Sequence, residues 1–437
     1  MKRTAISLAL AAAALLSLSA CGVEETPVST PTPTPSGPSV EAHWEVLETS
    51  APNIANRRYE GYVGELRPAD DYGELVPYIG GESEAEFWDR GWFYGLATRE
   101  GEIITDPVYT AVEALTDTST TLPGERYGDT LLLRTAVELE EKPAEDWMPK
   151  YDDRYGLAAM DGSWYTGQVF SDCVCSNTFG ALFFDLEGDA VMLSGEDGRE
   201  LWRWEAEAIP VEGLEPGMVY WYGTYMLGHY LEFMSWMGEP EPESTYVDLS
   251  TGEVLDSAPE IFQPSGEDDW DSGRVRYAGG WYSIADGMVS INEDSGAEHR
   301  FTLPEGSGEY SYPHIDGDRV LFNLDNEQGG GSVLIDLDGN ELLRSGEYLS
   351  WLWQQYGETP SLPSTVDYIS REDGSLYSVT CVYTRDGAPL LTAEGGVYLW
   401  GDRLLIADAG SYRLTDLEGN DLLRLTRWQS ADIPAEE

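Results

Sequence analysis

The chain has 437 residues, carries 80 Asp and Glu against 25 Lys and Arg, and has a formal net charge of −55. With 41% apolar residues and 15 Trp, 26 Tyr and 10 Phe, it is too apolar for a disordered polyanion and long enough to bury a large core. Lys2, Lys142 and Lys150 are its lysines, and recognition of phosphate needs clustered Lys and Arg, so nucleic acid and anionic membrane surfaces are poor direct partners.

Met1-Lys2-Arg3 is a short basic start, and Ala5 to Leu16 is apolar except for Ser7. That run is too short to span a bilayer and has the length of a signal-peptide core. Leu18-Ser19-Ala20-Cys21 then resembles the lipobox of bacterial lipoproteins. The resemblance implies cleavage before Cys21, a lipid on that cysteine, and membrane attachment through it. The alternative is an ordinary signal peptide cut after Ala20. A diacylglyceryl group brings two acyl chains, the condition for stable anchoring. Residues 21–41 are rich in Pro, Thr and Ser, with Pro27, Pro31, Pro33, Pro35 and Pro38. Such a segment buries nothing, favours extended polyproline geometry, and at ~3.1 Å per residue makes a disordered stalk of about 50 Å. The plan is signal peptide 1–20, linker 21–41, folded domain 42–430 and disordered tail 431–437.

Inside the domain the recurring unit is an alternating apolar strand, an acidic-Gly turn and a second strand. Trp92-Phe-Tyr-Gly-Leu-Ala-Thr-Arg-Glu-Gly-Glu-Ile-Ile-Thr-Asp-Pro-Val-Tyr109 resembles the WG repeat, also called the KWG repeat: aromatic-Gly-Leu, a turn Gly, an apolar strand, then Pro-x-Tyr. Residues 154–170, with Tyr155-Gly156-Leu157 and Asp161-Gly162, are similar to a second copy that lacks the Pro-x-Tyr end. The resemblance implies an all-β repeat domain in a bacterial envelope protein and supplies no enzymatic activity, cofactor or site residue.

Further along, turn glycines at 252, 296, 339 and 387 are spaced by 44, 43 and 48 residues. A period near 45 with hairpins inside it predicts four-stranded blades, and the length of the domain then gives seven or eight. Steps of 61 (Gly101 to Gly162) and 54 (Gly198 to Gly252) leave room for inserts, expected at Glu138–Asp153 and Tyr225–Glu243. Gly101, Gly339, Gly387 and Gly419 are expected in tight primed turns with positive φ. Ser332–Arg344 and Ser411–Arg424 share Asp-Leu-acid-Gly-Asn-acid-Leu-Leu-Arg, and the last unit shows strands at Val397–Trp400, Arg403–Ala407, Ser411–Thr415 and Asp421–Thr426. One short helix is expected where Leu349, Leu352, Trp353 and Tyr356 fall at helical spacing. The fold class is all-β, a β-propeller-like repeat domain, with stacked β-sandwiches as the alternative. Ring closure would set Asp421–Thr426 beside early strands around Tyr59–Leu66.

Catalytic signatures are sparse. Cys173, Cys175 and Cys381 form an odd set that allows one bridge at most, and His43, His229, His299 and His314 have no paired spacing for a metal. Asp336-x-Asp338-Gly339-Asn340 has the wrong glycine position for a calcium loop. No Gly-x-Ser-x-Gly elbow or phosphate-cradling Gly loop with a Lys is present. Candidate stacking platforms are Trp202, Trp204, Trp221, Trp351 and Trp353, with packing between blades as the competing role. No catalytic or metal residue and no cofactor are assigned. The functional expectation is a non-enzymatic, surface-exposed module for glycan, peptide or envelope-protein binding. The alternatives are a carbohydrate-active enzyme with a carboxylate pair in a propeller pocket, and a polyanionic coat.

Overall fold

The computed structural model describes residue 66 and residues 72–83, 91–118, 125–138, 151–217, 222–235, 243–262, 274–277, 279–308, 311–324, 330–352, 354–356, 359–370 and 376–426. Residues 1–41, with Cys21, and 431–437 lie outside that set, as do Trp221, Trp353 and most of the expected insert Glu138–Asp153.

The regular structure of the described residues is almost wholly antiparallel strand, arranged as consecutive meanders in chain order. Four-stranded sheets run Tyr222–Leu227 to Glu253–Leu255, Arg274–Tyr277 to Glu298–Thr302, and Pro313–Asp316 to Glu341–Ser345. The next contains Leu349–Trp351, Pro363–Ser370, Leu376–Tyr383 and Pro389–Ala393, and the last contains Val397–Trp400, Arg403–Ala407, Ser411–Asp416 and Asp421–Thr426. Ahead of them, a seven-stranded sheet divides into Ala111–Thr118, Glu125–Glu138 and Tyr151–Ala159, then Phe170–Asn177 to Glu200–Trp204. These halves meet at the single pair Tyr155↔Phe170. Leu75–Ser83 and Gly91–Thr98 form the first sheet. The result is a propeller-like β domain of eight successive blades.

Positive-φ glycines mark the turn before the last strand or bridge of each blade: Gly101, Gly162, Gly198, Gly252, Gly296, Gly339, Gly387 and Gly419. In the first two blades the fourth strand shrinks to the bridges Ala97↔Ile103 and Ala158↔Tyr165. Both blades repeat one local device 61 residues apart. Leu96 N donates to Thr105 Oγ1 at 2.9 Å, as Leu157 N does to Thr166 Oγ1 at 2.9 Å. Gly101 N bonds Thr98 O, as Gly162 N bonds Ala159 O. The long step is therefore one blade, whose three described strands have 8, 14 and 9 residues.

Three expectations are corrected. The acidic-Gly turns are not two-residue primed turns. At Asp336 and Asp416 the loop has five residues, Gly339 (φ 82°) and Gly419 (φ 84°) sit left-handed, and a bulge follows in the partner register. The first carboxylate closes the loop. Asp336 Oδ1 accepts from the backbone N–H of Asp338 (3.0 Å) and Asn340 (2.8 Å), and Asp416 Oδ1 accepts from Glu418 (3.0 Å) and Asn420 (2.8 Å). Among the described residues, Asp286-Gly287 (φ 51° and 75°) has the primed pattern, between the paired Ala285 and Met288. The segment Tyr225–Glu243 is not an insert: Tyr222–Leu227 and Tyr230–Ser235 are the first two strands of blade four. The helix over Leu349–Tyr356 is absent. Leu349–Trp351 pairs in blade seven, and Gln354–Tyr356 crosses to blade eight, pairing parallel with Val397–Trp400.

Closure is visible where blade eight meets blade one. Leu75–Ser83 packs on Arg403–Ala407 and Ser411–Asp416. One core cluster joins Leu66, Leu75, Tyr78 and Leu96 to Trp400, Leu405, Tyr412 and Leu423. Polar contacts at this seam copy those between blades six and seven. Arg403 Nε donates to Arg99 O at 3.1 Å, as Arg319 Nε donates to Arg385 O at 2.8 Å. Arg99 reaches back to Asp402, as Arg385 reaches back to Asp318 at 2.8 Å. A Cβ on Gly101 would lie 2.5 Å from Leu422 O, and one on Gly387 would lie 2.7 Å from Leu342 O. Gly-Asp-Arg in one blade thus clasps Thr-Arg-acid-Gly in the next, and the first and last blades are ordinary neighbours. Of the expected early strand around Tyr59–Leu66, Leu66 alone is described.

Candidate functional site

The turns of blades one to three enclose a cavity of about 940 Å³. In a meander the first-second and third-fourth turns lie at one end, and those turns supply most of its wall. Hydrogen bonds within and between the blades fix them. Leu75 N donates to Met160 O (2.7 Å), Met160 N to Asp129 O (2.9 Å), and Gly195 N to Phe179 O (2.9 Å). The Thr130 hydroxyl, buried in the second strand of blade two, donates to Gly195 O of blade three. Asn177 ties its own turn to blade four: Oδ1 accepts from Phe179 N at 2.9 Å and Nδ2 donates to Gly228 O at 2.8 Å.

Aromatic walls come from Trp164, Phe179 and Tyr356. Tyr356 arrives on the crossing strand and is held by Gly401 N donating to its carbonyl at 2.7 Å. Its ring stacks on buried Trp400 at 5.2 Å and meets Tyr127 edge-on at 5.5 Å. Glu74, Asp129, Asp161 and Glu196 bring carboxylates, and Thr178, Ser194 and Ser250 bring hydroxyls. Glu74 accepts from Arg99 Nη1 at 2.9 Å. Hydrogen bonding from Ser163, including its N–H at 2.8 Å, holds the Asp161 carboxyl below its ordinary range. Burial first, then the Glu74 and Asp129 carboxylates, push the Tyr356 phenol above its usual value. A space lined by aromatic faces, carboxylates and hydroxyls suits a polar or charged organic ligand better than an apolar one.

The sequence-derived tryptophans lie elsewhere. Trp202 and Trp204 lie with ring centroids 4.5 Å apart, against the core shared by blades three and four. Trp202 Nε1 donates to Leu249 O at 2.7 Å, and its ring covers Gly252. Trp351 sits at the seam of blades six and seven, donating to His314 O at 3.1 Å under the Arg385 guanidinium. The two groups are in separate seams, and neither lines the cavity described above.

Cys173, Cys175 and Cys381 are free thiols. A bulge at Val174 turns Cys173 to the blade two side and Cys175 to the blade four side. Both still line a second cavity, of about 250 Å³, with Glu113 and Arg134. Burial pushes the Cys175 thiol up to about 12 and Cys173 well above its ordinary value. Among the described residues, no three His, Cys, Asp or Glu side chains gather as a metal site, and no helix is long and apolar enough to cross a membrane.

No protein-family model matches the sequence, and no curated protein matches it. Among solved structures the chain is similar to BamB from Moraxella catarrhalis, at 11% identity and TM-score 0.21, over 81% of this chain and 96% of that one. It is also similar to the Cps50 (Swd1) β-propeller domain of Myceliophteria thermophila, at 11% identity and TM-score 0.23, over 70% and 96%. A third is dihydro-heme d1 dehydrogenase NirN in complex with DHE, at 13% identity and TM-score 0.28, over 82% and 75%. Identities and TM-scores this low carry no residue role across to this chain.

Proposed function

We propose that this protein is a lipid-anchored bacterial envelope module whose propeller-like domain binds a ligand in the cavity between blades one, two and three, without chemical turnover. The cavity carries the reading: its volume, about 940 Å³, is that of a small-molecule or peptide-side-chain site. Its walls are braced by a backbone bond between blades one and two and by the Thr130 hydroxyl between blades two and three. The lipobox-like Leu18–Cys21 and the Pro-rich linker support attachment and display away from the membrane. Resemblance of residues 92–109 and 154–170 to the WG repeat supports an envelope setting.

Glycoside hydrolysis is the competing reading, and it needs one carboxylic acid kept protonated by its surroundings. In this cavity Asp161 is shifted the opposite way. Among the described residues, the carboxyls that burial raises are Asp172, Asp316 and Glu347, in the third blade, the sixth blade and the connection to the seventh, all outside the cavity wall.

Glycan and peptide arrays probed with the full chain and with Ser163→Trp, which fills the cavity from its wall, test the binding site. Selective binding lost in the variant is expected. Binding that survives would place the site elsewhere. Cys21→Ser should move the protein from the membrane to the soluble fraction, and continued membrane association would remove the anchor.

A further inference from the structure

The cavity carries more negative charge than its own cations neutralise. Glu74 is matched by Arg99, which also holds Asp402. Arg199 at the rim is mostly exposed and already paired with Asp197 at 3.5 Å. Among the described residues, no Lys, Arg or His pairs with Asp129, Asp161 or Glu196. These three come from different supports: a long strand, the Gly162 turn and the Gly198 turn. Close to the Glu74 and Asp129 carboxylates stands the Tyr356 ring, stacked on Trp400 and met edge-on by Tyr127. Fixed aromatic faces attract cations through their quadrupole, and desolvation in a walled cavity strengthens that attraction. A neutral sugar would use the hydroxyls and the rings but leave the carboxylate charge uncompensated.

We propose that the cavity takes an organic cation bearing primary amines, with its ammonium groups between Tyr356 and the carboxylates of Asp129, Asp161 and Glu196. The proposal rests on the cavity being the binding site. Two sources supply this chemistry, a free linear polyamine and the lysine side chains of a peptide. Calorimetric titration of the full chain with spermidine, with tetralysine and with a neutral oligosaccharide separates them.

One spermidine bound per chain is expected. Asp129→Asn, Glu196→Gln and Tyr356→Ala should each weaken it about fivefold, and salt should weaken it further. Tetralysine binding with the same sensitivity while spermidine fails would assign the site to a basic peptide. Cation binding equally strong in all three variants would mean diffuse attraction to a chain of net charge −55 and would overturn the proposal. If both cations fail but the saccharide binds and Tyr356→Ala abolishes it, the cation is wrong and the cavity stands. If all three probes fail, both readings fall. Unchanged unfolding midpoints in the two amide variants guard against loss of fold.

Discussion

Substituting alanine at Gly101 probes the join between the first and last blades. Gly101 has φ 91°, where any L side chain is strained by about 1–2 kcal/mol. Its new Cβ would also lie 2.5 Å from Leu422 O and 2.7 Å from Leu422 C, so blade eight must shift. Overpacking against rigid backbone adds about 1–3 kcal/mol, for a total of about 2–5 kcal/mol. Gly419→Ala is the internal control, because Gly419 has φ 84° but its Cβ meets nothing nearer than Leu390 Cδ1 at 4.0 Å. That variant should lose about 1–2 kcal/mol from strain alone. Gly387→Ala, at the equivalent seam of blades six and seven, should resemble Gly101→Ala. Urea unfolding of the three variants, read as midpoint shifts at a constant slope, gives the comparison. Equal losses for Gly101→Ala and Gly419→Ala would refute the closed ring, since the Leu422 carbonyl would then not rest on the Gly101 turn.

Asp336→Ala and Asp416→Ala should each cost about 1 kcal/mol near neutral pH, because each leaves turn N–H groups without their carboxylate partner. A loss near zero in chemical denaturation would mean water replaces that carboxylate fully. Burial opposes ionisation of Asp336, yet hydrogen bonds from Asn340 and Asp338 hold it below the ordinary range. A depressed folded pKa stabilises above the unfolded value of about 4 and loses that effect as pH falls through the folded one. The penalty of Asp336→Ala should therefore shrink below about pH 4, and a penalty that grew there would reverse the assignment. With its thiol pushed up to about 12, Cys175 should resist iodoacetamide near neutral pH in the folded chain and react once urea unfolds it. Rapid native labelling detected by peptide mass would contradict the raised thiol.

The sequence made the blades legible because each needs a glycine at one turn. Gly101, Gly162, Gly198, Gly252, Gly296, Gly339, Gly387 and Gly419 stand once per blade. The four strands of the last blade were readable because Asp416 and Gly419 close one turn, and period-two alternation flanks it. Where the chain changes sheets, local pattern misled. Leu349, Leu352 and Tyr356 mimic helical spacing because two three-residue strands belong to different blades, with the crossover between them. Tyr225–Glu243 read as an insert because its methionines and aromatics hide the alternation of two paired strands.

The candidate site was not legible at all. Glu74, Asp129, Asp161, Glu196 and Tyr356 are scattered over almost 300 residues, and only blade stacking gathers them. Each carboxylate by itself reads as one more acidic residue among 80. Tryptophans drew attention by composition, but Trp202 is committed to Leu249 and Trp351 to His314 across their seams.

The most direct test of the functional account is a crystal structure of the full chain grown with the tightest amine or array ligand. Ligand density is expected between Tyr356 and Trp164, with nitrogen atoms within hydrogen-bond distance of the Asp129 or Glu196 carboxylate. Density over Trp351 or Trp202, or in the cavity beside Cys173 and Cys175, would contradict it.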